Sequence, residues 1–353
     1  LSEAPGRALA AELVGGLAAQ RPVLLPPAAL PEAVRRRAPG DVLALPLVAR
    51  HRLIGSLLVA HGPATPFTAY DVEVLLDLAR RAALAVDNAR LYEERTGIAH
   101  ALQASLLPPD LPRAPHVDFG ARYVAAGEGN EVGGDFYDVF ALPDGGWAVA
   151  IGDVCGKGAE AAAITGLARN VLRLLLRQGC PPSECLRELN AAILDLDDRG
   201  RFVTGAVATL HVEAEGLVVR MCVAGHPSPV RLSAGAAPVF VGRNGTVLGV
   251  PPDVDLEDER VHLAPGEAVV FYTDGVTERR RGLTMFGEET LLAVLGAAGQ
   301  LSADAVAGCV EQAVRSFGPE ASRDDLAVLV VRVPARPAST RLASTDLPAH
   351  PLS

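Results

Sequence analysis

Hydrophobic and polar positions follow three different patterns along the 353 residues of the chain. In the first part, two apolar runs, Val42–Val48 and Leu53–Ala60, are joined by the polar pair Arg50-His51 and predict a β-hairpin. A short helical pattern and a proline-rich stretch, Pro26–Pro31, precede the hairpin. This pattern predicts a small α+β unit over residues 1–66.

From Tyr70 onward the apolar residues take the spacing of a helix, and Pro108-Pro109 marks where that helix must stop. We therefore predict a connecting, coiled-coil-like helix over residues 67–107. Its narrow apolar stripe either packs on its own domain or pairs with a second copy, and the helix's place between two predicted domains favours a homodimer. The stripe consists of Val72, Leu75, Ala79, Ala82, Val86 and Ala89, and is resumed by Ile98, Leu102 and Leu106.

Residues 108–334 alternate apolar runs of strand length with amphipathic stretches of helix length. Strands in hairpin succession with helices grouped between them predict an α/β (α+β) sandwich, in which two antiparallel β-sheets are flanked by helices. The predicted strands are Val117–Ala126, Trp147–Ile151, Phe202–Val212, Leu217–Ala224, Pro229–Leu232, Val239–Val241, Ala268–Tyr272 and Leu326–Val333, and the predicted helices cover residues 159–177, 183–196, 287–298 and 302–317. Residues 335–353, rich in Pro, Ser, Thr and Ala, are predicted to be a flexible tail or linker.

Composition narrows the function classes. The net charge of −10 argues against nucleic acid as the main partner, because a phosphate backbone demands a basic face. The five cysteines are scattered and lack the paired spacing of zinc sites, so we expect free thiols in a reducing compartment. No apolar run approaches the length of a membrane span, and the expected location is the cytoplasm.

The stretch Gly152–Gly158, GDVCGKG, lies between a predicted strand and the helix predicted from residue 159. Asp153 therefore stands at a strand end, among glycines that let the backbone come close to a bound group. Such a carboxylate suits a metal ion or a metal-bound phosphate. Taken alone, the stretch is more typical of an ordinary turn with a turn aspartate.

Three further acidic segments decide between these interpretations. They are VGGDFYD at Val132–Asp138, YTDGVTE at Tyr272–Glu278 and SRDDLAVLVVR at Ser322–Arg332. Asp153, Asp274 and Asp324 each lie at an end of an apolar strand, where packing alone would not require a charge. Clustered carboxylates raise one another's pKa unless cations neutralise them, and an all-oxygen ligand set favours hard ions such as Mg²⁺ or Mn²⁺.

With these segments the chain resembles the metal-dependent protein phosphatases of the protein phosphatase 2C class, specifically the bacterial SpoIIE-type branch. The resemblance covers about Leu102–Val333. It extends beyond the aspartates to FVTG at Phe202–Gly205, AGHP at Ala224–Pro227, GTVLGV at Gly245–Val250 and the Phe286-Gly287 turn.

The resemblance implies a role for each acidic residue. Asp153 would bridge two metal ions, Mn²⁺ or Mg²⁺, with the backbone carbonyl of Val154 as a further ligand. Asp274 and Asp324 would complete the shell of one ion, and Asp135 would hold the other directly or through water. Two such ions can activate a water molecule for attack on phosphorus. The implied reaction is hydrolysis of a phosphoserine or phosphothreonine monoester without a covalent enzyme intermediate.

The same resemblance bears on substrate and regulation. The implied substrate is a phosphorylated regulatory protein of the anti-sigma-factor antagonist type. The hairpin sequence GDVLALPLVARHRLIGSLLVAHG resembles the closing hairpin of a GAF sensory domain, so residues 1–66 would be a partial GAF-like sensor that gates the enzyme. The alternative for this region is a small α+β cap that binds no ligand.

The resemblance leaves the phosphate without an obvious partner. The wider eukaryotic class places an arginine near the first acidic segment. The nearest candidate in this chain is Arg122, and Lys157 or a metal ion could take the role instead.

Competing motifs fit less well. Gly152–Gly158 lacks the spacing of a phosphate-binding P-loop, and Cys155 as a nucleophile would need an arginine where Ala161 stands. His226 is expected to be a packing histidine and not a general base. The second functional hypothesis is a catalytically weak phosphatase fold that serves as a regulated docking partner in signalling.

Overall fold

The computed structural model describes residues 13–30, 32–36, 40–62, 65–108, 110–126, 132–196, 200–318 and 324–335. The chain divides into two compact units, Leu1–Arg95 and Thr96–Ser353. Apart from its first residue, the tail predicted over residues 335–353 lies outside the described residues.

The first unit contains an antiparallel sheet of three strands in the order β1-β2-β3. These strands are β1 (Val23–Leu25), β2 (Val42–Ala49) and β3 (Arg52–Ala60), and a one-turn helix, α1 (Glu32–Arg35), lies between the first two. Arg50 and His51 form the turn of the predicted hairpin, and both have a positive φ, 47° and 64°. This is the backbone twist that a two-residue hairpin turn requires.

The predicted long helix is present as α2 (Ala69–Leu106). Its first turns pack on the sheet of the first unit: Ala79 is fully buried with Leu43 and Leu45 of β2, and Val72 and Leu75 pack beside them. In the first part of the helix the stripe therefore packs on its own domain, the less favoured of the two arrangements that the sequence allowed. Small alanine side chains let the helix approach the sheet closely, which the width of the stripe alone did not indicate.

Some exposed apolar side chains of α2 lie on a different line from the predicted stripe, although Val86, a residue of the stripe, is itself 52% exposed. Tyr70, Val74 and Leu78, spaced four residues apart, are 73%, 48% and 52% exposed. In the second unit Ala99 and Leu106 face the core, whereas Ile98 and Leu102 remain exposed. No helix in the described part of the chain is both long and apolar enough to cross a membrane.

The second unit is the predicted sandwich. Its first sheet has the order β11-β8-β7-β6-β5, with β12 paired to β8, and its second sheet has the order β10-β9-β13-β16-β4. All pairings are antiparallel except that of β11 with β8. The strands are β4 (Asp118–Val124), β5 (Asp135–Ala141), β6 (Trp147–Val154), β7 (Val203–Glu213), β8 (Gly216–Ala224), β9 (Val230–Leu232), β10 (Val239–Phe240), β11 (Asn244–Gly245), β12 (Glu259–Leu263), β13 (Ala268–Tyr272) and β16 (Leu326–Arg332), and a separate hairpin consists of β14 (Arg280–Arg281) and β15 (Thr284–Met285).

Helices cover both outer faces of this sandwich. The helices of the second unit are α3 (Ala159–Arg177), α4 (Pro182–Leu196), α5 (Asp274–Thr277), α6 (Gly287–Ala298) and α7 (Ala303–Phe317). Alternate residues of β6 show the layering: Ala148 and Ala150 pack with α3 and α4, whereas Val149 and Ile151 pack between the two sheets. Helices α6 and α7 cover the other sheet.

Strands β5 and β12, like the short strands β1, β11, β14 and β15, are absent from the sequence-based prediction. In β5 the aspartates at 135 and 138 interrupt the apolar pattern, yet both are buried. In β12 only Val261 and Leu263 are buried, so the apolar signal is short. Polar residues that face inward therefore concealed β5, the strand that opens on the predicted site.

Candidate metal centre

Asp135 and Asp153 lie opposite each other on neighbouring strands. Asp135 opens β5, Asp153 is the penultimate residue of β6, and the antiparallel register pairs the two residues directly. Side chains of directly paired residues point to the same face of a sheet, and like charges placed there destabilise it. The first sheet thus holds two carboxylates side by side at one edge of the sandwich.

The second sheet brings its acidic residues to the neighbouring strand ends. Asp274 follows the end of β13 as the first residue of α5, and Asp324 and Asp325 directly precede β16. The backbone N–H of Thr273 donates to the Ala327 carbonyl at 3.0 Å, which ties the two strand ends together. Both strand ends therefore deliver a carboxylate to one place.

Thr273 joins the two sheets at this edge. Its buried hydroxyl donates to Asp135 Oδ2 at 2.6 Å and accepts from the Ala327 N–H at 2.9 Å. A residue at the end of the second sheet therefore orients a carboxylate of the first. Thr273 was not singled out from the sequence, where it is one polar residue in the YTDG segment.

The carboxylates interact strongly. Burial raises the pKa of Asp153 to about 7, and the carboxylates of Asp274, Asp324 and Asp325 add to the shift. Burial also raises the pKa of Asp135 well above its usual range, with Asp153 as the next cause. For Asp274, burial and then Asp324 raise the pKa. The structure thus brings the four predicted site aspartates, and Asp325, within electrostatic reach of one another.

Two glycines make the close approach possible. A Cβ atom at Gly134 would lie 2.1 Å from the carbonyl oxygen of Val154 and 2.4 Å from Asp153 Oδ1. A Cβ atom at Gly133 would lie 1.2 Å from Asp325 Oδ2. The Gly-Gly pair before Asp135 therefore serves to admit the acidic residues and the Val154 carbonyl, the predicted backbone ligand.

The donor set fits a hard cation. Asp274 Oδ1 is buried without a hydrogen-bond partner in the described part of the chain, and a carboxylate oxygen in that state is costly unless a cation satisfies it. All predicted ligands are oxygens, as Mg²⁺ and Mn²⁺ prefer. Among the described residues, however, no three His, Cys, Asp or Glu side chains enclose a single ion-sized position. The fit is one of chemistry and charge, and the individual ligand roles stay a prediction.

Asp325 belongs to a network behind this cluster. Its carboxylate accepts from the Tyr123 hydroxyl at 2.9 Å and from the Ala126 N–H at 2.7 Å. The Gln103 side chain donates to the Tyr123 hydroxyl and accepts from the Gly133 N–H at 3.0 Å. The end of α2 is therefore hydrogen-bonded to one acidic segment at Gly133 and, through Tyr123, to another at Asp325. The sequence signal was a glutamine on the inward face that Ala99 and Leu106 define.

Basic side chains near the cluster differ in what they contact. Arg122, the arginine that the sequence suggested for gripping phosphate, points to α7, where it pairs with Asp304 at 2.5 Å and with Glu311 at 3.4 Å. Neighbouring strand residues face opposite ways, so Tyr123 reaches Asp325 and Arg122 does not. Lys157 Nζ, by contrast, lies 3.7 Å from Asp324 Oδ1. The suggestion of Arg122 is therefore wrong, and Lys157 is beside the cluster.

Two other polar residues of the motifs have packing contacts. Asp138 is buried and binds Arg173 of α3 at 2.7 Å, with Arg169 at 3.5 Å, so it anchors that helix and is not solvated. His226 is buried with Nδ1 2.9 Å from the Thr204 hydroxyl, and burial lowers its pKa to about 3. A histidine that stays neutral at this depth fits the expected packing role.

Comparison with protein families matches both parts of the chain. The family model described as Stage II sporulation protein E (SpoIIE) matches residues 143–334, more than half of the chain. A GAF domain model matches residues 4–86, which includes the first turns of α2 as well as the sheet of the first unit. The boundary that the sequence suggested, residue 66, stays a prediction.

Individual relatives agree with this match. The phosphoserine phosphatase RsbU of Bacillus subtilis is 30% identical over 184 residues, which cover 52% of this chain and 53% of that protein. The chain spans about half or less of the length of the curated relatives it matches.

Two solved structures share the fold of the second unit. The RsbU and RsbW domains of Rv1364c from Mycobacterium tuberculosis superpose with a TM-score of 0.53 at 29% identity, covering 64% of this chain and 62% of that one. The SiaA-PP2C domain of Pseudomonas aeruginosa gives a TM-score of 0.57 at 19% identity, covering 70% of this chain and 98% of that one. The predicted sandwich fold is thereby confirmed.

Proposed function

The chain belongs to the SpoIIE family, and from that premise we propose that it is a metal-dependent protein serine/threonine phosphatase. The reaction is hydrolysis of a phosphoserine or phosphothreonine monoester on a regulatory protein. The observation that carries the proposal is the convergence of Asp135, Asp153, Asp274 and Asp324 at one edge of the sandwich, since a fold gains nothing structurally from carboxylates that repel one another.

Each acidic residue has a proposed part. Two divalent ions, Mn²⁺ or Mg²⁺, would be held by Asp153, with the Val154 carbonyl as a further ligand, and by Asp274, Asp324 and Asp135. Bound there, the ions supply charge neutralisation at phosphorus and activation of water. Thr273 fixes the orientation of Asp135 by its 2.6 Å hydrogen bond, and Gly134 leaves space for the Val154 carbonyl.

The proposed substrate is a phosphorylated protein of the anti-sigma-factor antagonist type. The support is the family membership and the likeness to a protein named as a phosphoserine phosphatase. The cluster lies at strand ends where Asp324 is 48% exposed, so a phosphorylated side chain can approach from solvent. A GAF-type sensor in the first unit is proposed to gate the activity.

Helix α2 is proposed to mediate a homodimer. The stripe that the sequence predicts for this contact is partly buried against the sheet of the first unit, as Ala79 shows. The line of Tyr70, Val74 and Leu78 instead leaves an apolar face at steps of four residues, the spacing of one helix surface. We assign the contact with a second copy to this line.

Purified chain tests the catalytic proposal. It should hydrolyse an aryl phosphate and a phosphoserine peptide with Mn²⁺ and should lose both activities with a chelator, restored when Mn²⁺ is returned. Cys155→Ser should keep activity within about a few-fold, because a water nucleophile needs no thiol. Activity that survives the chelator would contradict the metal requirement. Absence of hydrolysis with either metal would favour the alternative, a phosphatase fold used as a docking partner.

A further inference from the structure

We infer that Lys157 is the residue that binds the phosphate group of the substrate. The inference rests on the proposed phosphatase function and deepens it. The phosphate needs a basic partner other than Arg122, because Arg122 forms ion pairs with Asp304 and Glu311 on the far face of β4.

The backbone holds Lys157 in a fixed position. It is flanked by Gly156 and Gly158, whose φ values of 100° and 90° are rarely adopted by residues with side chains. On one side the Cys155 N–H donates to the Phe202 carbonyl at 2.9 Å, and on the other the Gly158 N–H donates to the Val132 carbonyl at 2.7 Å. A loop tied down at both ends presents the lysine between them.

The side chain ends among the predicted metal ligands. The Lys157 ammonium lies 3.7 Å from Asp324 Oδ1, and the side chain is 31% exposed. The ammonium is therefore at the rim of the cluster, with access both to the carboxylates and to solvent. It is also the single lysine of a chain in which 31 other basic residues are arginines.

Nearby arginines have other contacts. The Arg201 guanidinium donates to the Cys155 carbonyl at 3.2 Å and to Glu160 of α3 at 2.5 Å, which fixes the glycine loop against the helix. Arg169 and Arg173 are paired with the buried Asp138. Each of these arginines contacts groups outside the acidic cluster, whereas Lys157 pairs with Asp324, a member of the cluster.

A phosphate monoester needs a cation at this place. It carries up to two negative charges into a site lined by five carboxylates, where an ammonium group reduces the electrostatic repulsion. An ammonium on a flexible four-carbon chain can move from Asp324 to a phosphate oxygen once Asp324 is occupied by a metal ion. The competing explanation is that Lys157 only neutralises the carboxylates.

The test compares Lys157→Met and Lys157→Arg in the full chain. Binding of inorganic phosphate to the Mn²⁺-loaded protein is measured by calorimetry, next to its inhibition constant in aryl phosphate hydrolysis. We expect Lys157→Met to weaken phosphate binding by about tenfold or more, the size of a charge-assisted hydrogen bond, and Lys157→Arg to retain most of it. Arg36→Met, which removes a charge from an exposed pair with Glu32, is the matched control and should bind phosphate as the wild type does.

A single lysine allows a second readout that does not depend on turnover. Acetylation of Lys157, followed by mass spectrometry of its peptide, should slow when phosphate is added to the Mn²⁺-loaded wild type. Unchanged phosphate binding in Lys157→Met would overturn the inference. If the Mn²⁺ affinity of that variant were altered as well, Lys157 would be a residue that only neutralises the carboxylates. A different outcome would count against the proposed function alone. In that outcome the wild-type protein binds phosphate, and phosphate protects Lys157 from acetylation, but the protein hydrolyses no phosphate ester.

Discussion

Thr273 and Asp135, 138 residues apart in sequence, are joined by a 2.6 Å hydrogen bond that links the ends of two different sheets. The same hydroxyl accepts from the Ala327 N–H, so one buried side chain satisfies two groups. The acidic edge is therefore a joint between the sheets as well as a site for chemistry. Displacing Asp135 would therefore also break a contact between the two sheets.

Thr273→Val removes the hydroxyl that links the two sheets and hardly changes the shape of the side chain. It leaves a carboxylate oxygen and a backbone N–H buried without their partner, so the free energy of unfolding should fall by about 2 to 4 kcal/mol. Thr273→Ser keeps the hydroxyl and should lose less than about 1 kcal/mol. Urea unfolding of the two variants makes the comparison, and a loss in Thr273→Val no larger than the loss in Thr273→Ser would contradict the stabilising role of the hydrogen bond.

Gly134→Ala should abolish metal-dependent activity. Its new Cβ would lie 2.1 Å from the Val154 carbonyl oxygen, so either this oxygen or Asp153 must move away from the position of a ligand. Gly166→Ala in α3 is the matched control, because its Cβ would meet only the Leu106 side chain at 3.7 Å. Mn²⁺-dependent hydrolysis should be lost in the first variant and kept in the second. Full activity in Gly134→Ala would show that close approach is unnecessary.

The metal-free protein should become less stable as the pH rises from about 4 to about 7. Burial, with Asp274, Asp324 and Asp325, raises the pKa of Asp153 from 3.8 to about 7 in the folded state. Across this window the folded protein retains a proton that the unfolded chain has released, so rising pH favours unfolding. The stability that depends on protonated Asp153 is fully present below the pKa of the unfolded chain and is lost as the pH rises through the pKa of the folded protein.

Denaturant unfolding in the presence of a chelator, at several pH values, measures this dependence. Asp153→Asn cannot titrate, so its stability should vary less with pH and should exceed that of the wild type near pH 7. A wild-type stability that increases through the window would contradict the raised pKa. The same slope in Asp153→Asn would assign the effect to other groups, such as Asp135 and Asp274.

The double substitution Val74→Glu with Leu78→Glu should convert a dimer to monomers. Both side chains are about half exposed, so the charges should not unfold the first unit, and they would be buried against a second copy. Arg90→Glu, a charge change on another side of α2, serves as the control. Size-exclusion chromatography with light scattering reads the outcome, and a monomeric wild type at tens of micromolar would remove the dimer from the account.

Much of the fold was accessible from the sequence because its core strands are strongly apolar. Leu326–Arg332 and Ala268–Tyr272 are buried at every position, and their boundaries were predicted to within a residue. β5 was missed because Asp135 and Asp138 are buried polar residues with partners far away in sequence, Thr273 and Arg173. The hydrophobic pattern of the sequence shows that a side chain is polar. It does not show that a group far away in sequence satisfies that side chain when it is buried.

The site residues likewise include some that the sequence predicted and some that it did not. Asp153, Asp274 and Asp324 stood out because packing alone does not require a charge at the end of an apolar strand. Asp135 stood out only through its acidic segment and the family resemblance, and the structure brings all four together. Thr273, Tyr123 and Gln103 did not stand out, because their significance lies in contacts that only the tertiary structure creates. The proposal of Arg122 failed for a related reason, since strand alternation turned it towards α7.

Metal content and hydrolysis, measured on the same samples, test the central claim most directly. Chelator-treated wild type, Asp153→Asn and the exposed control Asp77→Asn are equilibrated with Mn²⁺, analysed for bound metal per chain and assayed with a phosphoserine peptide. The account predicts two ions and Mn²⁺-dependent hydrolysis for the wild type and the control, and the loss of both in Asp153→Asn. Wild-type metal binding and turnover in Asp153→Asn would contradict it.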